Sequence, residues 1–507
     1  MEPKGRQQAW DRVSQVEKNR NPDPVCFKGM IMTQRLSGLP KSVTDQEART
    51  ENNMKAFASS LNANVDLFFK IGASRGKNII PVFTKALQEN EDLAVRIALW
   101  GRDVRGGAGE RQLFKDILTH LSGAKPEIVS KLLKKVPELG RWDDLFAIEG
   151  DKRQEALGLI RVALSQNDAL AAKWMPRKGK LSAELRKHMG LSPKKYRKLL
   201  VNLTKVVESQ MCSNDWKNIE YSHVPSVASA RYRKAFKKHD PESFSTFAKA
   251  AVEGKVKVNA AAVYPYDVIK GDVLGHYQVQ YLDPDVRNHI IAQWNNLPNY
   301  VGDAMTLPMV DVSGSMRTPT GGKGSVSCLD VAVSLGLYLS DKNTGSLKDV
   351  FLTFSENPEL QLLRGDIVQK YHQLTTSRWG MNTNLHAAFE KLLGLAKKDG
   401  LTQEQMPQAI LILSDMQFDH CADHDHSAME MIEKKYADAG YQMPIIVFWN
   451  LNAHDNMPVR FNKQGVALVS GFSPTIVKAV LSGDFTNITP EKIMLDTITG
   501  DRYAWNI

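Results

Sequence analysis

The chain has 507 residues and a net charge of +10, from 66 Lys and Arg against 56 Asp and Glu. That length suits two or three domains, each able to bury its own core. The longest apolar run, around 443–449, is too short to span a bilayer, and the polar start Met1 to Gln8 leads into no signal-like stretch, so no membrane association is expected.

Cys26, Cys212, Cys328 and Cys421 stand far apart with no CxxC pair, as expected of reduced thiols in a cytoplasmic protein. The charge is unevenly divided. From residue 301 onward there are 17 Lys and Arg against 23 Asp and Glu, which leaves 49 against 33 in the first 300 residues. A basic first part joined to an acidic second part points to a polyanion partner for the first, with a solvated basic surface as the plain alternative.

Residues 1–52 are polar and weakly periodic, and read as an N-terminal arm. Helical periodicity begins at about 53. Met54, Phe57, Ala58 and Leu61 fall on one face, and Val65, Leu67, Phe68 and Ile71 continue it. The segments 78–88, 91–101, 109–122, 126–136 and 142–148 repeat the pattern between Gly and Pro breaks. Paired amphipathic helices over 53–300 suggest a solenoid-like, HEAT-type α-helical domain, although no fixed repeat length emerges.

Between two of these helices lies Arg102-Asp103-Val104-Arg105-Gly106-Gly107. Arg102, Arg105, Gly106 and Gly107 could cradle a phosphate at the start of the next helix, or form an ordinary turn with solvated arginines. No Gly-Lys-Ser/Thr follows, so it is not a P-loop. Asp143 and Asp144 suit the first turn of a helix.

The most basic stretch holds Lys173, Arg177, Lys178, Lys180, Arg186, Lys187, Lys194, Lys195, Arg197 and Lys198, with Trp174, His188 and Tyr196 interleaved. A second cluster holds Arg231, Arg233, Lys234, Lys237 and Lys238 beside Tyr232 and Phe236. Cations for phosphates with rings for unstacked bases is the composition of a single-stranded nucleic-acid surface.

From 301 to 507 strands and helices alternate. Strands are expected at 306–311, 349–354, 359–363, 409–414, 445–450 and 466–470, and helices at 325–340, 384–397, 426–438 and 474–482. Such alternation builds a doubly wound, Rossmann-like α/β domain with its functional loops on one rim.

At the end of the first strand stands Asp311-Val312-Ser313-Gly314-Ser315. The carboxylate and the two hydroxyls can aim at one point above the sheet, with Gly314 expected to ease the turn. This motif resembles the Asp-x-Ser-x-Ser signature of the metal-ion-dependent adhesion site (MIDAS) in von Willebrand factor A domains. That family also needs a Thr in a later loop and an Asp after a later apolar strand, and Thr383 and Asp415 stand in those positions. Asn382 replaces the Gly usual before the Thr. The resemblance implies a Mg²⁺ or Mn²⁺ site made by Asp311, Ser313, Ser315, Thr383 and Asp415, completed by a carboxylate from a protein partner or by a phosphate.

The order of a helical domain and then this domain is similar to the Ro ribonucleoprotein family, which pairs a TROVE helical-repeat ring with a von Willebrand factor A domain. That likeness implies single-stranded or small structured RNA as partner; separately, no Ser/His/Asp arrangement can be assigned from spacing, so no enzyme is expected. The rival expectation is an interaction subunit working with an AAA+ or chelatase-like ATPase, without RNA. A run dense in metal donors, Asp419 to His426, follows Asp415. Its spacing fits no standard zinc site, so a solvated loop or helix cap competes with a second metal.

Overall fold

The computed structural model describes residues 47–52, 54–274, 281–321, 326–354, 358–376, 385–418, 428–481 and 487–506. Residues 45–507 form one compact unit. Most of the expected arm, together with Cys26, Thr383, Asn382 and the run 419–426, lies outside the described residues.

The described chain opens with an antiparallel hairpin, β1 (Glu47–Arg49) and β2 (Lys55–Phe57), which crosses the expected arm boundary at 52. Helices follow: α1 (Ala63–Ile71), α2 (Ile80–Glu89), α3 (Glu91–Arg102), α4 (Arg111–Ala124), α5 (Pro126–Leu132) and α6 (Lys135–Leu139). The stretch 126–136 is thus two helices. Pro137 has no N–H to offer the carbonyl of Leu133, and the chain breaks there. The stretch 142–148 winds as a 3₁₀ turn, Trp142–Ala147, in which the carboxylate of Asp144 accepts from the N–H of Arg141.

After α7 (Arg153–Ser165), the basic stretch falls on α8 (Ala169–Trp174), α9 (Gly179–His188) and α10 (Pro193–Leu203). Then come α11 (Val207–Cys212), α12 (Ser226–His239), α13 (Pro241–Val252), α14 (Pro265–Ile269) and α15 (Pro284–Asn295).

The α/β part runs β3 (Thr306–Asp311), α16 (Cys328–Lys342), β4 (Val350–Phe354), β5 (Leu360–Leu362), α17 (Ile367–Thr376), α18 (Leu385–Asp399), β6 (Ala409–Ser414), α19 (Ala428–Asp438), β7 (Ile445–Asn450), β8 (Val466–Ser470), α20 (Ile476–Leu481) and α21 (Pro490–Ile498). The sheet order is β5-β4-β3-β6-β7-β8, parallel except for the edge pair β4–β5. Chain order leaves β3 for β4 on one side and returns to β6 on the other. The junction of β3 and β6 is therefore the topological switch point, where a crevice opens beyond the strand ends.

Fully buried parallel strands read as continuous apolar runs, which is why β6 (Ala-Ile-Leu-Ile-Leu-Ser) was legible to the residue. The architecture is an α-helical part followed by a mixed α/β sheet. One hydrophobic cluster runs through both, from Met54 to Trp505.

The helical part sits on the sheet at its functional rim. α1 is apolar nearly all round, capped by Asn62, and ends over the carboxyl ends of β7 and β8. Ser470 Oγ donates to the carbonyl of Phe68 at 2.9 Å and accepts from the N–H of Gly72 at 3.0 Å, and Asn450 Nδ2 donates to the carbonyl of Phe69 at 3.3 Å. A Cβ on Gly72 would lie 2.4 Å from the carbonyl oxygen of Ser470. Only glycine allows this approach.

Candidate functional site

Four of the five expected donors of the metal site are described, and the fold brings them to the switch point. Asp311 ends β3 with no exposed surface, and Asp415 follows β6 at 1% exposure. The N–H of Ser313 donates to Asp311 Oδ1 at 2.9 Å, and the hydroxyls of Ser313 and Ser315 lie 3.1 Å apart. The Ser315 hydroxyl hydrogen-bonds the Asp415 carboxylate, and the N–H of Gln417 donates to Asp415 Oδ1 at 3.3 Å. Met416, next to Asp415, holds a left-handed backbone at φ 64°, a conformation that packed surroundings must impose on a non-glycine residue. Gly314 is not needed for the turn, since a Cβ there would meet nothing within 4 Å.

Sequence reasoning missed Ser414, whose Oγ donates to Asp311 Oδ2 at 2.5 Å from the neighbouring strand. Its position immediately before Asp415 was the available signal.

Two carboxylates facing one point in a dry place repel each other. Burial, with the charge of Asp415 next, pushes Asp311 up to about 7, and burial likewise raises Asp415. Among the described residues no three His, Cys, Asp or Glu side chains gather as a ready-made cage. A cation here would rest on two carboxylates, the serine hydroxyls and water, which suits a hard, hydrated ion such as Mg²⁺. Cys328 lies nearby at the start of α16. Burial and Asp415 push its thiol up to about 12, which keeps it protonated.

A cleft of about 590 Å³ opens above these groups. Ser315 and Asp415 form its floor, and its walls include Glu51, Lys77, Asn452 and His454. Glu51 comes from the hairpin turn, which docks on the loop after β6: Thr50 Oγ1 donates to the carbonyl of Phe418 at 2.6 Å, and the N–H of Glu51 to Gln417 Oε1 at 2.7 Å. Residues this far apart in sequence leave no local signal.

The basic stretch divides by burial. Arg177, Lys178, Lys180, Lys187, Lys194, Lys195, Arg197 and Lys198 are exposed on and around α9 and α10. None of them pairs with a carboxylate among the described residues. Lys173 and Arg186 are half-buried.

The rings are not free for bases. Tyr196 is 2% exposed, with its hydroxyl on the carbonyl of Pro176. Trp174 carries the Arg141 guanidinium 3.5 Å above its centroid. Tyrosine at that helical position was the core face of α10.

The second cluster is largely structural. Arg233 is 1% exposed and pairs with Asp272 at 2.7 Å; Lys234 pairs with Asp272, and Lys237 with Asp285. Arg231 and Lys238 remain exposed.

The glycine-rich turn does not form a phosphate cradle. Arg102 is buried against Asp144 at 2.6 Å. The residue just before α4, at its N-cap, is the buried acid Glu110, bonded by Arg75 at 2.8 and 2.9 Å. Gly106 and Gly107 are there for packing: a Cβ on Gly107 would lie 1.9 Å from the carbonyl oxygen of Trp100. Arg105 reaches the carbonyl of Glu138 at 3.4 Å.

Residues 50–139 and 178–307 match a family described as Domain of unknown function (DUF2828). Residues 305–501 match Domain of unknown function (DUF7788). The uncharacterized protein L728 of Acanthamoeba polyphaga mimivirus is 26% identical over 507 residues, covering 86% of this chain and 85% of the viral one. Among solved structures, the Ro (RSR) protein of Deinococcus radiodurans aligns with a TM-score of 0.34 and 14% identity, over 86% of this chain and 93% of that one.

Proposed function

We propose that the chain is a non-catalytic scaffold with two binding sites, a divalent-cation site of the von Willebrand factor A kind and a cationic RNA-binding face. Asp311, Ser313, Ser315 and Asp415 hold Mg²⁺ or Mn²⁺ together with water, with Thr383 as the further donor that the family resemblance implies. The observation that carries this reading is the convergence of these four side chains on the sheet's switch point, with two carboxylates left facing each other. The donor set has few charged ligands, so an anionic group from a partner completes the shell.

The exposed cations of α9 and α10 support RNA as the second ligand, and the order of domains resembling the Ro family points the same way. Because Tyr196 and Trp174 are occupied, contact is through phosphates and not through stacked bases, with little sequence preference.

Isothermal titration with Mn²⁺ tests the first site: wild type binds one ion and Asp311→Ala none. Binding of a short single-stranded RNA at several salt concentrations tests the second. Affinity falls with salt at a slope of about −0.7 per phosphate contacted. Charge reversal at Lys194, Lys195, Arg197 and Lys198 flattens that slope. An affinity indifferent to both salt and charge reversal removes RNA from the reading and favours a protein-only scaffold.

A further inference from the structure

Among the described residues, the cleft above the cation site is lined by two side-chain cations from the helical part, Arg75 and Lys77. Lys77 lies in the loop between α1 and α2. That loop is clasped to the loop after β7: the N–H of Ala453 donates to the carbonyl of Ala73 at 2.9 Å, and the Lys77 ammonium donates to the carbonyl of Ala453. Among the described residues no carboxylate lies within ion-pair distance of Lys77. Its ammonium instead faces the cleft, in the field of Asp455, Asp415 and Glu51. Two of its three donor hydrogens are left to meet a ligand or water.

The other cation on the wall is committed elsewhere. Arg75 is held by both oxygens of Glu110 and lies 4.0 Å over the Phe472 ring. Glu51 also lines the cleft, and its negative charge disfavours an occupant with several charges. The volume, about 590 Å³, admits a phosphate or a side-chain carboxylate with the short chain that leads to it.

We infer that Lys77 is the second contact of the group that completes the cation's shell, and that this group is a single oxyanion, a phosphate or a carboxylate, gripped between the metal and the Lys77 ammonium. The inference rests on the metal reading above and specifies its ligand. It also makes the site composite: the sheet supplies the cation's donors and the helical part supplies the anion's. A cationic group is repelled by Lys77 and a neutral acceptor gains only an ordinary hydrogen bond, whereas an oxyanion gains a charge-assisted one, which makes this residue the selector.

The test uses the full chain, Mn²⁺ and inorganic phosphate, with paramagnetic broadening of the phosphorus resonance as the readout of phosphate at the bound ion. Wild type binds phosphate only when Mn²⁺ is present. Lys77→Gln weakens phosphate by about tenfold, the loss of one charge-assisted hydrogen bond at a partly exposed site. The same substitution leaves Mn²⁺ equally or more tightly bound, because it removes a positive charge near Asp415. Lys77→Arg restores phosphate binding.

Acetate displaces phosphate competitively if the site reads oxyanions in general, and acetate binding beside retained phosphate overturns the single-oxyanion assignment. Equal phosphate affinity in wild type and Lys77→Gln overturns the role of Lys77. So does a parallel loss of Mn²⁺ and phosphate, which would mark a merely structural residue. If wild type binds no Mn²⁺, the metal reading itself fails, and that outcome is distinct from the other two.

Discussion

Ser414 and Asp311 stand on neighbouring strands, 103 residues apart in sequence, and the serine hydroxyl donates to Asp311 Oδ2 at 2.5 Å. With the N–H of Ser313 on the other oxygen, this bond fixes the carboxylate plane before any ligand arrives. Ser414 Oγ also accepts from the N–H of Met416 at 2.9 Å, and so shapes the loop that presents Asp415. Both aspartates therefore depend on one small side chain. Ser414→Ala leaves a buried acceptor and a buried N–H without partners, at a cost of about 1–3 kcal/mol each. Urea unfolding reads that loss, and Mn²⁺ titration shows affinity lowered by about tenfold. Unchanged Mn²⁺ affinity would mean that Asp311 needs no orienting partner.

Asp311→Asn separates stability from binding. In the absence of divalent ions the substitution removes one of two facing buried charges, so the melting temperature rises. Added Mg²⁺ stabilises wild type by RT ln(1 + [L]/Kd), about 2.7 kcal/mol at a hundredfold excess over Kd, and does nothing for the variant. A variant that melts lower without metal and still gains from Mg²⁺ contradicts the assignment of Asp311 on both counts.

His289 gives a pH dependence remote from the rim. Its ring is 1% exposed, Nε2 lies 2.8 Å from Ser229 Oγ, and Arg233 is nearby. Burial first, then the charge of Arg233, lowers it from 6.5 to about 3. Between those values the unfolded chain holds a proton that the folded chain does not. Stability from this residue is therefore complete above about 6.5 and drains as pH falls toward 3, at about 1.4 kcal/mol per pH unit. Urea midpoints for wild type and His289→Gln should diverge at pH 7 and draw together as pH falls to 4. Parallel curves would place the imidazole in water.

The two arginine-rich readings separate by substitution. Arg233 is buried against Asp272, so Arg233→Ala takes away the acid's buried partner, leaves it only the exposed Lys234, and costs up to about 3–5 kcal/mol. Reversing the charges of Lys194, Lys195, Arg197 and Lys198 touches only exposed side chains. Thermal melts should show a large drop for the first variant and little change for the second, while RNA affinity moves in the second. A second variant that melts as low as the first would show those lysines at work in the fold.

How much of this was legible in the sequence depends on the range of the interaction. Strands β3, β6, β7 and β8 were readable because a strand buried on both faces is an unbroken apolar run. Asp311, Ser313 and Ser315 were readable because their spacing lies within one loop. Charge patterns misled where burial decides. Arg233 and Lys178 look alike in composition, yet one neutralises Asp272 inside the helical part and the other faces water. Tyr196 has the composition of a stacking ring, yet its helical phase, four residues before Leu200, puts it on the core face of α10. Glu51 and Lys77 could not be found at all, since the first reaches the rim through the docking of the hairpin on the loop after β6 and the second through the seating of α1 on β8.

That seating yields the last prediction. Gly72 has an ordinary φ of −72°, so its backbone does not demand glycine; the space does. Gly72→Ala drives a methyl into the carbonyl of Ser470, backbone that cannot swing aside, and the overpacking costs about 1–3 kcal/mol. Gly158 in α7 is the matched control, because a Cβ there meets nothing within 4 Å. Gly158→Ala should stabilise by about 0.5–1 kcal/mol through helix propensity alone. The strain at Gly72 also displaces the loop that carries Lys77. Phosphate binding should weaken in Gly72→Ala while Mn²⁺ binding, which depends on β3 and β6, survives. Because one substitution loosens the anion and spares the cation, it tests whether the two parts of the chain share a site or merely share a core.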